Sequence, residues 1–202
     1  MSSLRRIVLL RHGNTVGNSH ERFHGRRDVA LSDEGRRQMR AAAPELVHEF
    51  FDVVVASPLA RAWESARLLA GSHPVRLLPE FREIDFGRWE GLTAEEIEAR
   101  DPALYRAWRS GAADFEFPGG ERRADFRARV LRGLGTLEAS GARNALVVSH
   151  KGVIRVLAEH LSGEALEGGG PDLGGLVSVT RVGDRWLRGR RSSDPAALRD
   201  VA

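Results

Sequence analysis

The chain has 202 residues, enough for one substantial core, and its hydrophobic share of 42% and charged share of 29% are those of an ordinary globular protein. No apolar run approaches the roughly 20 residues that span a bilayer, and the absence of cysteine excludes a disulfide framework and a thiolate zinc site. Thirty-one basic residues face 28 acidic ones, leaving a net charge of only +3.

Lys151 is the sole lysine, so arginine dominates the cations and lifts the isoelectric point to about 10.3. A nucleic-acid surface wants a basic stripe with interleaved aromatics. Here the two signs alternate nearly everywhere, so neither nucleic acid nor a membrane is an expected partner. Met1 to Arg6 lack the apolar stretch of a secretory leader. A cytoplasmic protein is the simplest expectation.

The first element is the apolar run Ile7-Val8-Leu9-Leu10, of the kind buried parallel strands show, and it stops at Arg11-His12-Gly13. Ser32 opens a helix with Asp33 and Glu34 in its first turn. Met39, Ala42, Ala43, Leu46, Val47 and Phe50 follow at helical spacing as its inward face. Asp52 to Ala56 reads as a second buried strand, ending at Ser57-Pro58. That pair suits an N-cap followed by proline at the first helical position. Leu59, Ala62, Trp63, Ala66 and Leu69 or Ala70 then make an inward helix face.

Val75 to Leu78 is a short third strand, Phe81 to Gly91 a loop, and short helices fill 93–109. Pro118-Gly119-Gly120 breaks the chain before a helix carrying Phe126, Val130, Leu134 and Leu137. Asn144 to Ser149 is another buried strand, followed at once by His150 and a helix with Val153, Ile154, Leu157 and Leu161. Leu176 to Val182, Gly183-Asp184 and Arg185 to Arg188 read as a closing hairpin. Strands alternating with helices imply an α/β protein: a three-layer α/β/α sandwich on a largely parallel sheet. The expected organisation is a single domain over 1–190, with 93–121 a cap insertion and 191–202 a polar tail.

In such sheets ligands bind beyond the carboxyl ends of the strands. Three strands end in Arg11-His12, in Ser57 leading to Arg61, and in Ser149-His150, so two histidines and two arginines converge on one mouth. Arginine forks bind phosphate, and a neutral imidazole between them is able to attack phosphorus in line. The second imidazole, protonated, would stabilise the equatorial oxygens. A carboxyl group is then wanted to protonate the leaving oxygen and later activate water. Glu80, Glu83, Asp85 and Glu90 are all candidates by position. His20, His48, His73 and His160 read as ordinary surface or core histidines.

The block Leu10-Arg11-His12-Gly13-Asn14-Thr15-Val16-Gly17-Asn18 resembles the signature of the histidine phosphatase superfamily, the phosphoglycerate mutase-like proteins. Arg22 to Asp28 with Leu31 to Gly35, Ser57-Pro58-Leu59-Ala60-Arg61-Ala62, Glu83 to Gly91, Pro118 to Glu121 and Val148-Ser149-His150 resemble its further blocks in order. The resemblance implies that His12 is phosphorylated, with Arg11, Asn18, Arg61 and His150 around the phosphoryl group. It implies Glu83 as proton donor and His24 and Gly25 at the substrate entrance. Lys151 departs from the family pattern, standing where a glycine is usual; its ammonium is a candidate phosphate contact, a restriction on substrate choice, or a group pointing to solvent.

The expected function is metal-independent hydrolysis of small phosphate monoesters, closest in character to α-ribazole and broad-specificity phosphatases, with no cofactor and a small phosphorylated metabolite as partner. A metallohydrolase is disfavoured because Arg11 flanks the key histidine and no metal-ligand spacing is present. The alternatives are a phosphoglycerate mutase and a non-catalytic phospholigand binder. The span from Glu83 to His150 looks short for a mutase lid, which favours hydrolysis. No interface stripe stands out, so the oligomeric state, a homodimer included, stays open.

Overall fold

The computed structural model describes residues 3–17, 21–112 and 114–189. Six strands form one sheet: β1 (Arg6–Arg11), β2 (Val53–Ala56), β3 (Val75–Leu77), β4 (Asn144–Ser149), β5 (Leu176–Val182) and β6 (Arg185–Arg188), in the order β3-β2-β4-β1-β5-β6. β3, β2, β4 and β1 run parallel; β5 pairs antiparallel with β1 and then with β6. The largely parallel sheet and its closing hairpin are therefore as the apolar runs predict.

Alternation along each strand divides the core into two layers. Val8, Leu10, Val54, Leu146 and Val148 pack with Met39, Ala42 and Leu46 of α1 (Asp33–Leu46) and Ala66 of α2 (Ala60–Leu69). Ile7, Leu9, Val53, Val55, Ala145 and Val147 face the other way. They pack with Ile97 of α3 (Ala94–Arg100), with Phe126, Val130 and Leu134 of α5 (Arg123–Ala139), and with Val153, Ile154 and Leu157 of α6 (Lys151–Ser162). α4 (Pro102–Arg109) contributes Tyr105 and Trp108 to the edge of that layer.

Three local expectations need correction. Ser57 does not cap α2: the helix starts two residues later than the Ser-Pro pair suggests, with Leu59 in the cap position and no side-chain bond from it. Asp28 supplies a capping acceptor instead, taking the Ala60 N–H at 2.7 Å. Val47 and Phe50 are exposed (70% and 71%) because α1 ends at Leu46, just after its internal Pro44; Phe51 takes the inward place. Trp63 lies on the outer side of α2, stacked beneath the Arg67 guanidinium at 5.5 Å. In contrast, Ser32 caps α1 as expected, its hydroxyl accepting from the Gly35 N–H at 3.1 Å.

Candidate active site

The register of the parallel strands assembles the site. Arg11 at the end of β1 stands opposite Ser149 at the end of β4, and Ala56 of β2 opposite Val148. His12, His150 and Ser57 are thus the first residues past three adjacent strand ends, where helix N-termini also begin. The His12 N–H donates to Ser149 O at 3.0 Å, and the two imidazoles lie with centroids 5.1 Å apart.

His12 is 5% exposed. Its Nδ1 is 2.7 Å from Gly13 O, and a carbonyl can only accept, so Nδ1 carries the proton. Arg61 Nε–H points at His12 Nε2 at 3.3 Å, where it meets a lone pair. Burial, and then the charges of Arg61 and Arg11, hold the His12 pKa well below the ordinary histidine range. The result is a neutral imidazole whose unprotonated nitrogen is Nε2.

Arg61, on the first turn of α2, is 2% exposed. Its Nη1 donates to Arg27 O at 2.8 Å and its Nη2 to Gly25 O at 2.6 Å. One N–H on each terminal nitrogen is then left for a ligand. Gly25 serves the site through this carbonyl. Its φ of +51° is easy only for glycine, and a Cβ there would run into Glu90 Oε1. Arg11 donates to Pro171 O at 3.1 Å.

His150 is fully buried, and its Nε2 shares a 2.8 Å hydrogen bond with Ser57 Oγ. Burial, followed by Arg61, His12 and Arg11, lowers its pKa well below the ordinary value and favours the neutral imidazole; the protonated form expected from the sequence needs a bound anion beside it. His24 lies close enough for its charge to be felt at His12, and its own pKa is lowered by burial and by Arg61. Among the described residues His150 Nδ1, His24 Nε2 and Arg11 Nε are buried polar atoms with no hydrogen-bond partner.

Of the four carboxylates left open by position, only Glu83 reaches the start of α6. Its carboxylate accepts the N–H groups of Ile84 at 3.0 Å and of Gly152 at 3.2 Å. A Cβ on Gly152 would sit 2.5 Å from Glu83 Oε1, so that position has to be glycine for the carboxylate to lie there. Asp85 is engaged with Arg26 at 3.0 Å, Glu90 accepts the Arg26 N–H at 2.7 Å, and Glu80 offers its carbonyl to Arg129. Lys151 packs its stem along Gly169 and Gly170. Asn18 lies outside the described residues.

Sequence reasoning missed two supporting hydroxyls. Ser57 suits a cap by its local chemistry but holds His150, while Ser65 accepts the Gly13 N–H at 3.3 Å and donates to Arg61 O at 2.7 Å. The Ser-Pro doublet carries a signal for the first; nothing in the pattern marks the second.

Two buried neutral histidines make stability depend on pH. The unfolded chain protonates them near pH 6.5, whereas the native state refuses the proton until well below that, so stability falls as pH drops beneath 6.5. The expected loss is about 1 kcal/mol per histidine over the first pH unit below that value. Urea unfolding at pH 7.5 and 5.5, with His150→Gln as the comparison, checks it: the variant should lose part of the slope. A stability that rises on acidification would mean that these imidazoles are not held neutral.

The family model of the histidine phosphatase superfamily (branch 1) matches residues 7–187. The chain belongs to this superfamily. It is 35% identical to a glucosyl-3-phosphoglycerate phosphatase of Mycolicibacterium vanbaalenii, an alignment covering 98% of this chain and 91% of that protein. The α-ribazole phosphatase from Shigella flexneri superposes with a TM-score of 0.81 at 29% identity, covering 93% of this chain and 96% of that one. A mycobacterial glucosyl-3-phosphoglycerate phosphatase in complex with VO3 gives a TM-score of 0.81 at 33% identity, covering 92% and 97%. The activity is that of a phosphoric monoester hydrolase. Among the described residues no helix is long and apolar enough to cross a membrane.

Proposed function

We propose that this phosphatase hydrolyses small, polar phosphate monoesters through a phosphohistidine formed on His12 Nε2. The observation that carries the reading is the tautomer of His12: Gly13 O holds the Nδ1 proton, and the Nε2 lone pair faces the Arg61 guanidinium inside a buried centre. A phosphate dianion bound there would receive the spare N–H groups of Arg61. It would also give the buried nitrogens of Arg11, His24 and His150 a partner.

In the first half-reaction Nε2 bonds to phosphorus as the bond to the ester oxygen breaks, and Glu83 gives its proton to that oxygen. The dianion also draws a proton onto His150, whose neutral state depends on nearby positive charge and burial alone. In the second half-reaction Glu83 takes a proton from water, the water oxygen bonds to phosphorus, and His12 leaves as a neutral imidazole. Arg11 and Arg61 hold the equatorial oxygens throughout.

The substrate mouth is formed by the loop of His24 and Gly25 together with the segment 93–121. That segment packs on Phe23 through Trp108, with ring centroids 5.3 Å apart, and Arg123 ties it down by donating to Trp108 O and Ala112 O, each at 2.8 Å. The relatives act on glucosyl-3-phosphoglycerate and, by name, on α-ribazole phosphate; both are polar esters of the proposed class.

Two measurements test the proposal. Alkaline quenching during turnover, followed by peptide mapping, should find phosphate on the peptide of His12; its appearance on another residue would overturn the assignment. Phosphate release from a panel of glucosyl-3-phosphoglycerate, α-ribazole phosphate, phosphoserine and 3-phosphoglycerate should exceed any interconversion of 3- and 2-phosphoglycerate. Faster interconversion than release would make the chain a mutase.

A further inference from the structure

Glu83 stands on an irregular loop between two single 3-10 turns, Pro79–Phe81 and Gly87–Trp89. Such a loop has no ladder of its own to satisfy its carbonyls or to fix its path. Here three carbonyl groups at and just before Glu83, those of Glu80, Arg82 and Glu83, converge on one side chain from α5. Arg129 Nη1 donates to Glu80 O at 2.7 Å and to Arg82 O at 3.0 Å, and Nη2 donates to Glu83 O at 3.5 Å.

The other donors of the same guanidinium form a bidentate pair with Glu121, Nε to Oε1 at 3.0 Å and Nη2 to Oε2 at 2.8 Å. Every N–H of the fork is therefore engaged. Its carbon lies 5.2 Å from the centre of the Phe126 ring, which supports the plane from one side. Glu121 grips the loop beyond Glu83 as well: its N–H donates to Asp85 O at 2.9 Å and its Oε2 accepts from the Asp85 N–H at 3.4 Å. The acid loop is held before, at and after Glu83 by a single ion pair whose two side chains are 21% and 18% exposed.

We infer that Arg129, with Glu121, is a positioning residue for acid–base catalysis: it fixes the backbone of Glu83 so that the carboxyl group meets the ester oxygen. The inference rests on the reading of Glu83 as proton donor. Among the described residues Arg129 hydrogen-bonds to neither the nucleophile nor the other phosphate-binding residues; its charge is felt at His150, and Arg129→Lys keeps that charge while losing the fork. A lysine replaces it only in part, because a point ammonium cannot serve three carbonyls and a carboxylate together.

The readout that separates positioning from simple support is leaving-group dependence. An alkoxide is far more basic than p-nitrophenolate and needs the proton as it departs; p-nitrophenolate does not. The ratio kcat/KM reports the steps through departure of the leaving group and is untouched by later hydrolysis of the phosphohistidine. The experiment compares glycerol phosphate with p-nitrophenyl phosphate in the native chain and in Arg129→Gln, Arg129→Lys, Glu121→Gln and Glu83→Gln.

Arg129→Gln should lose about 100-fold on glycerol phosphate, the scale of a misplaced catalytic group, and less than about 5-fold on p-nitrophenyl phosphate. Glu83→Gln should show the same selective loss, and Arg129→Lys and Glu121→Gln a smaller one in the same sense. Equal losses on the two esters in the Arg129 variants, or no loss on either, would overturn the inference. If Arg129→Gln fails to fold, Arg129→Lys and Glu121→Gln decide the matter by the same ratio. An even loss in Glu83→Gln would instead remove the proton-donor assignment and this inference with it; a selective loss there beside an even loss at Arg129 defeats the inference alone.

Discussion

Replacing His12 by alanine should reduce phosphate release by about 10⁴-fold or more, while the native chain should turn over undiminished in EDTA. The first half follows from what is lost. Without Nε2 no group in the centre is both nucleophilic and in line, because Arg11 and Arg61 are cations and the Nε2 of His150 is tied to Ser57. Water would have to attack a phosphate dianion directly, helped only by the surrounding positive charge. The second half follows from charge. Arg61 Nε stands 3.3 Å from the nucleophilic nitrogen, with Arg11 also felt there, so a divalent cation at that nitrogen would be repelled. Among the described residues, moreover, no three His, Asp or Glu side chains gather as a ligand set. Activity lost in EDTA and restored by a metal would overturn the mechanism. Turnover that survives His12→Ala would place the nucleophile elsewhere.

Substituting Arg61 should be almost as damaging, and lysine should not rescue it. The guanidinium joins His12 Nε2, Gly25 O and Arg27 O from one planar group, and a lysine ammonium can reach at most part of that set. For Arg61→Ala, kcat/KM should fall by about 10²- to 10³-fold, the loss seen when one preorganised donor to a developing anion is removed. A second effect has a definite sign. The Arg61 charge is, after burial, the largest influence lowering the His12 pKa, so its removal lets that pKa rise. The acid limb of the pH profile of kcat/KM should therefore move to higher pH in Arg61→Ala. An unmoved limb, or a lysine variant with native activity, would show that Arg61 is neither a phosphate fork nor the source of that depression.

Much of this was legible along the chain because the informative features are local. Ile7 to Leu10, Val53 to Ala56 and Ala145 to Val148 are unbroken apolar runs, which only a strand covered on both faces explains, and they are core strands of the sheet. Each leads within a few residues to a group placed at the phosphate centre: Arg11 and His12, Arg61, and His150. Periodicity failed where a helix stopped before its pattern did: Val47 and Phe50 continue the spacing of α1, but the helix has ended at Leu46. Ser57 misled for a related reason. Its local chemistry suits a cap, yet a residue from another loop, Asp28, meets the helix N-terminus and frees Ser57 for His150.

The choice among the acidic residues shows the same division. By position Glu80, Glu83, Asp85 and Glu90 were equal candidates, since a loop carries no period to say which side chain turns inward. Two of the rivals are spoken for by a segment distant in the chain: Asp85 pairs with the Arg26 guanidinium and Glu90 accepts the Arg26 N–H. Glu83 alone meets the Gly152 N–H at the head of α6.

By itself the sequence determined the order of elements, the family and the four ionisable residues at the strand ends, because strand burial and strand termination are written in runs of neighbouring residues. Only the tertiary structure decided the tautomer and neutrality of His12, the neutrality of His150, the use of Ser57 and Ser65, and the clamp of Arg129 and Glu121 on the acid loop. The tautomer turns on the neighbouring Gly13 carbonyl, whose direction the fold sets; the others depend on a hydroxyl, carbonyl or guanidinium brought from tens of residues away and on the burial that folding imposes.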